Sequence, residues 1–159
     1  MPVLEWVVDK LLAGLIIAAA ASLIAPWALE RHRGRRDSLF RLSDHLASRT
    51  ERLFTLCVEY WATPYNEQDT AREAQIQHVL SEISAAVRLL QPQIFSDAGN
   101  HGTYRFAMLS DAATGGDFKG GKRRAADPAR IAMVAHEIQA MSRFVLARRK
   151  SWLDKWHPW

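Results

Sequence analysis

The hydrophobic pattern divides the chain sharply. Leu11 to Leu29 runs nineteen residues without a charge, and everything after it alternates polar and apolar positions. As a helix that run is about 28 Å long at about 1.5 Å per residue, which matches a hydrocarbon core of roughly 30 Å. Within it Gly14, Ala18, Ala21, Ala25 and Ala28 recur at steps of four and three, while Leu12, Ile16, Leu23 and Trp27 gather on the other side. Small residues on one stripe permit close backbone approach in lipid, where the hydrophobic effect does not drive helices together. The 3.5-residue repeat predicts a left-handed bundle of copies. The bland alternative is an alanine-rich anchor that shows small residues by chance.

Beyond the run the three- and four-residue spacing persists. Leu39, Leu42, Leu46, Leu53, Leu56 and Tyr60 continue the same phase, interrupted by His32, Arg35 and Arg49, with Gly34 a point of flexure. One long helix is therefore expected, broken at Ala62–Asn66. A second is expected from Asp69 to Leu90, with Ile76, Val79, Leu80, Ile83, Ala86, Val87 and Leu90 as its buried stripe and Pro92 as its stop. Ser96–Gly102 reads as a loop, Tyr104–Ala113 as a short helix, and Thr114–Asp127 as an exposed glycine-rich basic loop. Asp127 and Pro128 then read as the cap and first residue of a final helix carrying Ile131, Val134, Ile138, Met141, Val145 and Trp152. The fold class is all-α: one N-terminal transmembrane helix continuing into a small helical bundle. The organisation is a short acidic segment at 1–10, a span at 11–29, a basic juxtamembrane segment at 30–36 and a helical domain at 37–159.

Charge fixes the orientation. Glu5 and Asp9 precede the span with Lys10 the only basic side chain there, whereas Arg31, Arg33, Arg35 and Arg36 follow it. A secretory signal carries its positive charge first, so a retained single-pass span is expected, in an inner membrane. The positive-inside rule puts the N-terminus outside and the bulk in the cytoplasm. Trp6 and Trp27, with the four arginines, mark the interfaces. Glu5 and Asp9 share a helix face; in a ring of copies they form an outer acidic ring, and otherwise they are two solvated charges that help set topology. The net charge of +4 favours anionic partners: lipid headgroups, or an anionic nucleotide or oligonucleotide.

Catalytic chemistry is absent from the pattern. Gly116, Gly121 and Lys122 imitate the glycine and lysine positions of a P-loop, but Arg123 stands where Ser or Thr should hold magnesium and no strand precedes the loop. The six histidines have no metal-binding spacing, and His136-Glu137 lacks the second histidine of HExxH. No enzyme activity, metal or cofactor is expected. Cys57 reads as a small buried hydrophobe. Lys119, Lys122, Arg123 and Arg124 are candidates for anion binding by charge alone, against a solvated loop or one that touches lipid. The tail SWLDKWHPW mixes Trp152, Trp156 and Trp159 with Lys155; it suits either packing onto protein or contact with a membrane or partner.

In layout the chain resembles the single-span membrane effectors of bacterial anti-phage defence, the Hailong channel effectors among them. The resemblance covers the short acidic N-terminus, the apolar span through Leu29 and the basic helical domain with KGGKRR at Lys119–Arg124; no motif is matched residue by residue. It implies a membrane channel; the small-residue stripe would let three to five copies, a tetramer among them, assemble as a homo-oligomer. Such a channel opens on a cytoplasmic signal, a nucleic-acid oligomer, made by a partner enzyme. The alternative reading is a membrane-anchored scaffold that tethers a cytoplasmic partner protein and conducts nothing.

Overall fold

The computed structural model describes the backbone of residues 2–94, 100–120 and 124–156, and the side chains chiefly of 29–92, 100–120 and 124–151. Four helices follow in order: α1 (Pro2–Trp61), α2 (Asp69–Ile94), α3 (His101–Thr114) and α4 (Pro128–Trp156). The fold is all-α, a four-helix bundle, with no strand among the described residues. Residues 1–40 form one unit and 41–159 a second.

In the second unit the core is the one the periodicity marks. Leu46, Leu53, Leu56, Cys57, Tyr60 and Trp61 of α1 are buried, as is the whole α2 stripe from Ile76 to Leu90. Leu109, Ala112 and Ala113 come from α3, and Val134, Met141 and Val145 from α4, while Ile131 and Ile138 are half-buried. Burial pushes the Cys57 thiol up to about 12, so it is an inert part of that core. His45 and His78 lie exposed on their helices. Arg49, which interrupts the α1 stripe, pairs with Glu82 of α2 at 3.3 Å.

Two boundaries differ from expectation. Pro92 does not stop α2, which continues to Ile94, two residues further; the N–H it lacks forfeits one bond to the Arg88 carbonyl, close to where the helix ends. His101 and Gly102 belong to α3 rather than to the preceding loop, and Gly102 is buried. Gly34 lies within α1. The expected cap holds: Asp127 accepts the Arg130 backbone N–H through Oδ1 at 3.0 Å, with Pro128 opening α4. Among the described residues no helix is long and apolar enough to cross a membrane. The side chains of the expected span at 11–29 lie almost wholly outside them, the Gly14, Ala18, Ala21, Ala25 and Ala28 stripe included.

Ile83 is completely buried, whereas Leu89 on the same helix is 60% exposed. Ile83→Ala should lower unfolding stability by about 2–5 kcal/mol, and Leu89→Ala should stay within about 0.5 kcal/mol. Denaturant titration of both variants, followed by helical circular dichroism, checks the assignment of the core.

Candidate functional site

The basic loop is rooted, not free. After α3 the chain turns through Gly115 and Gly116, where a side chain has no room. A Cβ on Gly115 would sit 2.6 Å from the Asp111 carbonyl oxygen, and Gly116 has φ +64° under the Arg130 guanidinium. Phe118 then lays its ring 5.3 Å from Tyr60 and 6.4 Å from Trp61. Lys119 holds φ +63°, uncommon for a side-chain-bearing residue, and its backbone N–H donates to the Tyr60 hydroxyl at 3.1 Å. Further on, the Tyr65 N–H donates to the Arg124 carbonyl at 3.1 Å, and the Asp127 N–H to the Trp61 carbonyl at 2.8 Å. Both ends of the loop are thus tied to the last residues of α1 and the segment that follows.

Arg124 corrects the expectation of a solvated loop. Its side chain is completely buried. One guanidinium nitrogen donates to the Thr63 carbonyl at 2.8 Å and the other to Asp69 Oδ2. Its charge lies 4.1 Å from the Tyr60 ring centroid and 5.7 Å from that of Trp61, within range for cation–π attraction. Removing a charge from water costs several kcal/mol unless partners replace the water. Here the carboxylate, the carbonyl and the ring faces do so, and only Nε is left without an acceptor.

Asp69 is held from every side. The Asn66 N–H donates to Oδ2 at 2.9 Å, and Arg72 Nη1 donates to Oδ1 at 3.1 Å. The Asn66 side chain in turn accepts the Gln68 N–H at 2.9 Å. Asn66 and Asp69 therefore form a reciprocal cap at the start of α2, the capping-box arrangement with Asn and Asp in place of the commoner pair. Burial alone would raise the Asp69 carboxyl, but the Asn66 N–H and the Arg124 and Arg72 side chains outweigh it and hold it below its usual value. Tyr60 donates to Glu73 at 2.8 Å, and its hydroxyl is pushed up to about 12, first by burial. It stays protonated at neutral pH and serves as a joint between the loop and α2. Trp61 completes the cluster by donating to the Ala113 carbonyl at 3.2 Å.

The other expected residues are spread more widely. Lys119 is exposed; Lys122 and Arg123 lie outside the described residues. Trp27 is 61% exposed, with Arg31 over its ring at 5.2 Å. Arg33, Arg35 and Arg36 are exposed, and Arg36 pairs with Asp37 at 3.5 Å. The side chains of Glu5, Trp6, Asp9, Trp152, Lys155, Trp156 and Trp159 lie outside the described ones. Among the described residues no group of three His, Cys, Asp or Glu side chains gathers where a metal ion would sit. Sequence reading missed Asp69, Tyr60, Trp61 and Thr63 as partners of Arg124. The Asn66-to-Asp69 spacing signals the cap, but no local signal pairs Asp69 with a residue 55 positions away.

Arg124→Ala should destabilise the bundle by about 1–3 kcal/mol, because it leaves the Thr63 carbonyl unpaired and Asp69 with only Arg72 and the Asn66 N–H; chemical denaturation measures it. The depressed Asp69 value also sets a pH dependence. Its contribution is complete above the unfolded carboxyl value of about 3.9 and is lost as pH falls through the lower native value. Stability should therefore drop below about pH 4, with a shallower slope in Asp69→Asn.

Comparison of the chain with protein-family models, with characterised proteins and with solved structures finds no match, so the functional reading rests on these residues alone.

Proposed function

We propose that this chain is a homo-oligomeric single-span membrane protein, a ligand-gated pore or channel effector whose N-terminus lies outside and whose helical bundle lies in the cytoplasm. One observation carries the reading. The uncharged run 11–29 and the bundle residues Leu46 to Trp61 belong to a single helix, Pro2–Trp61. The basic loop closes on the last two residues of that helix through Lys119, Asp127 and Arg124. A ligand that rearranges the loop therefore acts on the same element that carries the apolar run.

The roles divide accordingly. Lys119, Lys122 and Arg123 collect an anionic signal, a nucleotide or oligonucleotide, while Arg124 holds the loop to the bundle. The Gly14, Ala18, Ala21, Ala25 and Ala28 stripe packs copies around an axis. A wall of glycine and alanine, with Ser22 the only polar side chain in the run, makes a narrow apolar gate that stays dewetted until the helices move. Driving such a gate from about 1% to about 99% open takes roughly 5.5 kcal/mol of differential binding. A multivalent anion shared among several subunits supplies that more readily than a single weak contact in one.

A second reading is a scaffold that tethers a protein partner and conducts nothing. Tyr104 and Met108, one turn apart on α3 and 59% and 39% exposed, favour it as an apolar contact.

Planar-bilayer recording of the purified full chain, with and without short DNA oligonucleotides, separates the two: signal-dependent conductance supports the pore, and silence under every anion favours the scaffold. Ala21→Leu should reduce the oligomer to smaller species in detergent; an unchanged mass refutes the packed stripe. Lys119→Ala combined with Lys122→Ala and Arg123→Ala should abolish salt-sensitive oligonucleotide binding and leave thermal stability intact. Persistent binding removes the loop as the sensor.

A further inference from the structure

The groove between α1 and α4 fixes how the two helices run. Near one end Ser43, Asp44 and Leu46 line it together with Val145, Leu146 and Arg149. Further along, Thr50, Glu51 and Phe54 line it with Ala135, Ile138 and Gln139. Rising numbers on α1 meet falling numbers on α4, so the helices are antiparallel. The C-terminal end of α4 therefore lies at the end of the bundle where α1 enters at Arg41, opposite the pole where Tyr60 and Trp61 hold the basic loop.

The chemistry of that entry pole is distinctive. The last turns of α4 present Arg143, Leu146, Ala147 and Lys150 to solvent, with Leu146 60% exposed. Arg148 stacks 5.7 Å from the Phe144 ring centroid. Arg41 lies on the α1 side, and Asp44 is the nearby acid lining the groove. From Arg149 the helix continues to Trp156, about 10 Å more, through a sequence holding Trp152, Asp154, Lys155 and Trp156. Basic side chains around an exposed Leu146, in a sequence that continues into tryptophans, are the composition of a helix that lies at a lipid interface.

Covalent connection supplies the proximity. Arg41 follows Leu29 by twelve residues, which span at most about 40 Å however they are arranged. With Leu29 at the cytoplasmic edge of the span, the entry pole cannot leave the neighbourhood of the membrane. The cytoplasmic leaflet carries negative surface potential that attracts basic segments.

We infer that the C-terminal end of α4, from Arg143 to Trp156, docks on anionic lipid headgroups. It forms a second, reversible membrane contact beside the span. The inference rests on the single-span reading. Exposed Arg143 and Lys150 meet the headgroup phosphates, and Leu146 enters the interface between them.

The test uses the full chain in vesicles. Ser151→Cys places a nitroxide on an exposed position of α4, and Cys57, buried with its thiol pushed up to about 12, stays unlabelled. Accessibility of the label to a water-soluble nickel complex is compared in phosphatidylcholine vesicles with and without phosphatidylglycerol. The expected result is lower accessibility in the anionic vesicles, reversed by high salt. Arg143→Glu with Lys150→Glu should also abolish the protection while leaving helical circular dichroism unchanged; each basic side chain should change surface partition by a factor of about five. Equal accessibility in both vesicles, or protection indifferent to salt and to charge reversal, overturns the inference. Alkaline carbonate washing separates the two readings: a released chain refutes the span, while the label in neutral buffer still reports whether α4 meets the surface.

Discussion

The buried pair between Arg124 and Asp69 is the constraint on which the ordered end of the bundle depends. Four stretches converge on it: the end of α1 through Tyr60 and Trp61, the following segment through Thr63, the start of α2 through Asp69, and the loop before α4 through Arg124 itself. An apolar side chain at 124 could fill the space, and replacing a buried ion pair with well-packed hydrophobes is often neutral or stabilising. An apolar contact, however, does not discriminate among neighbouring registers of a glycine-rich loop. A guanidinium that must meet one carboxylate, one carbonyl and one ring face is satisfied in only one register. The pair ties the loop to a residue 55 positions away, in the segment with the weakest apolar pattern.

The same logic explains what the residues betray and what they conceal. Every residue of the α2 stripe from Ile76 to Leu90 marked by periodicity is buried, because helical spacing and core burial are one geometric fact seen twice. The Asp127–Pro128 start of α4 is legible for a similar reason: a cap acts on backbone donors within three residues. Pro92 and Gly102 mislead because each sits within a few residues of a helix end, where the boundary shifts by a residue or two. Arg124 misleads most. Surrounded by Gly120, Gly121, Lys122 and Arg123 it reads as one more solvated charge, and its true partner is distant in sequence. Charge runs are read correctly on average but not at the single residue that tertiary structure recruits.

Two separate basic regions follow from the topology of the second unit. The glycine-rich loop lies at the pole holding Tyr60 and Trp61, and the last turns of α4 lie at the pole where α1 enters. On the proposed reading, a single basic patch would present soluble anions and lipid headgroups with the same side chains. Antiparallel packing of α1 and α4 places the two basic regions a bundle's length apart. Sixteen residues separate Arg41 from Cys57, or about 24 Å of helix, more than two Debye lengths at physiological salt.

On the proposed reading, that separation also sets what a ligand at the loop would have to do. Charge neutralised at the loop is screened before it reaches the entry pole, so electrostatics alone cannot carry the message along the bundle. The remaining route is mechanical, through packed helices that have few alternative arrangements. α1 is the element that contacts the loop at one end and carries the apolar run at the other, and its bundle portion is fixed by Leu46, Leu53 and Leu56. A loop rearrangement that leaves Tyr60 and Trp61 in place transmits nothing, however tightly the ligand binds, because a ligand shifts an equilibrium only by its differential affinity for the two states. On the proposed reading, the Lys119–Tyr60 and Asp127–Trp61 hydrogen bonds are the points at which binding would have to be converted into movement. Arg124, held by Asp69, is the pivot about which the loop would have to turn.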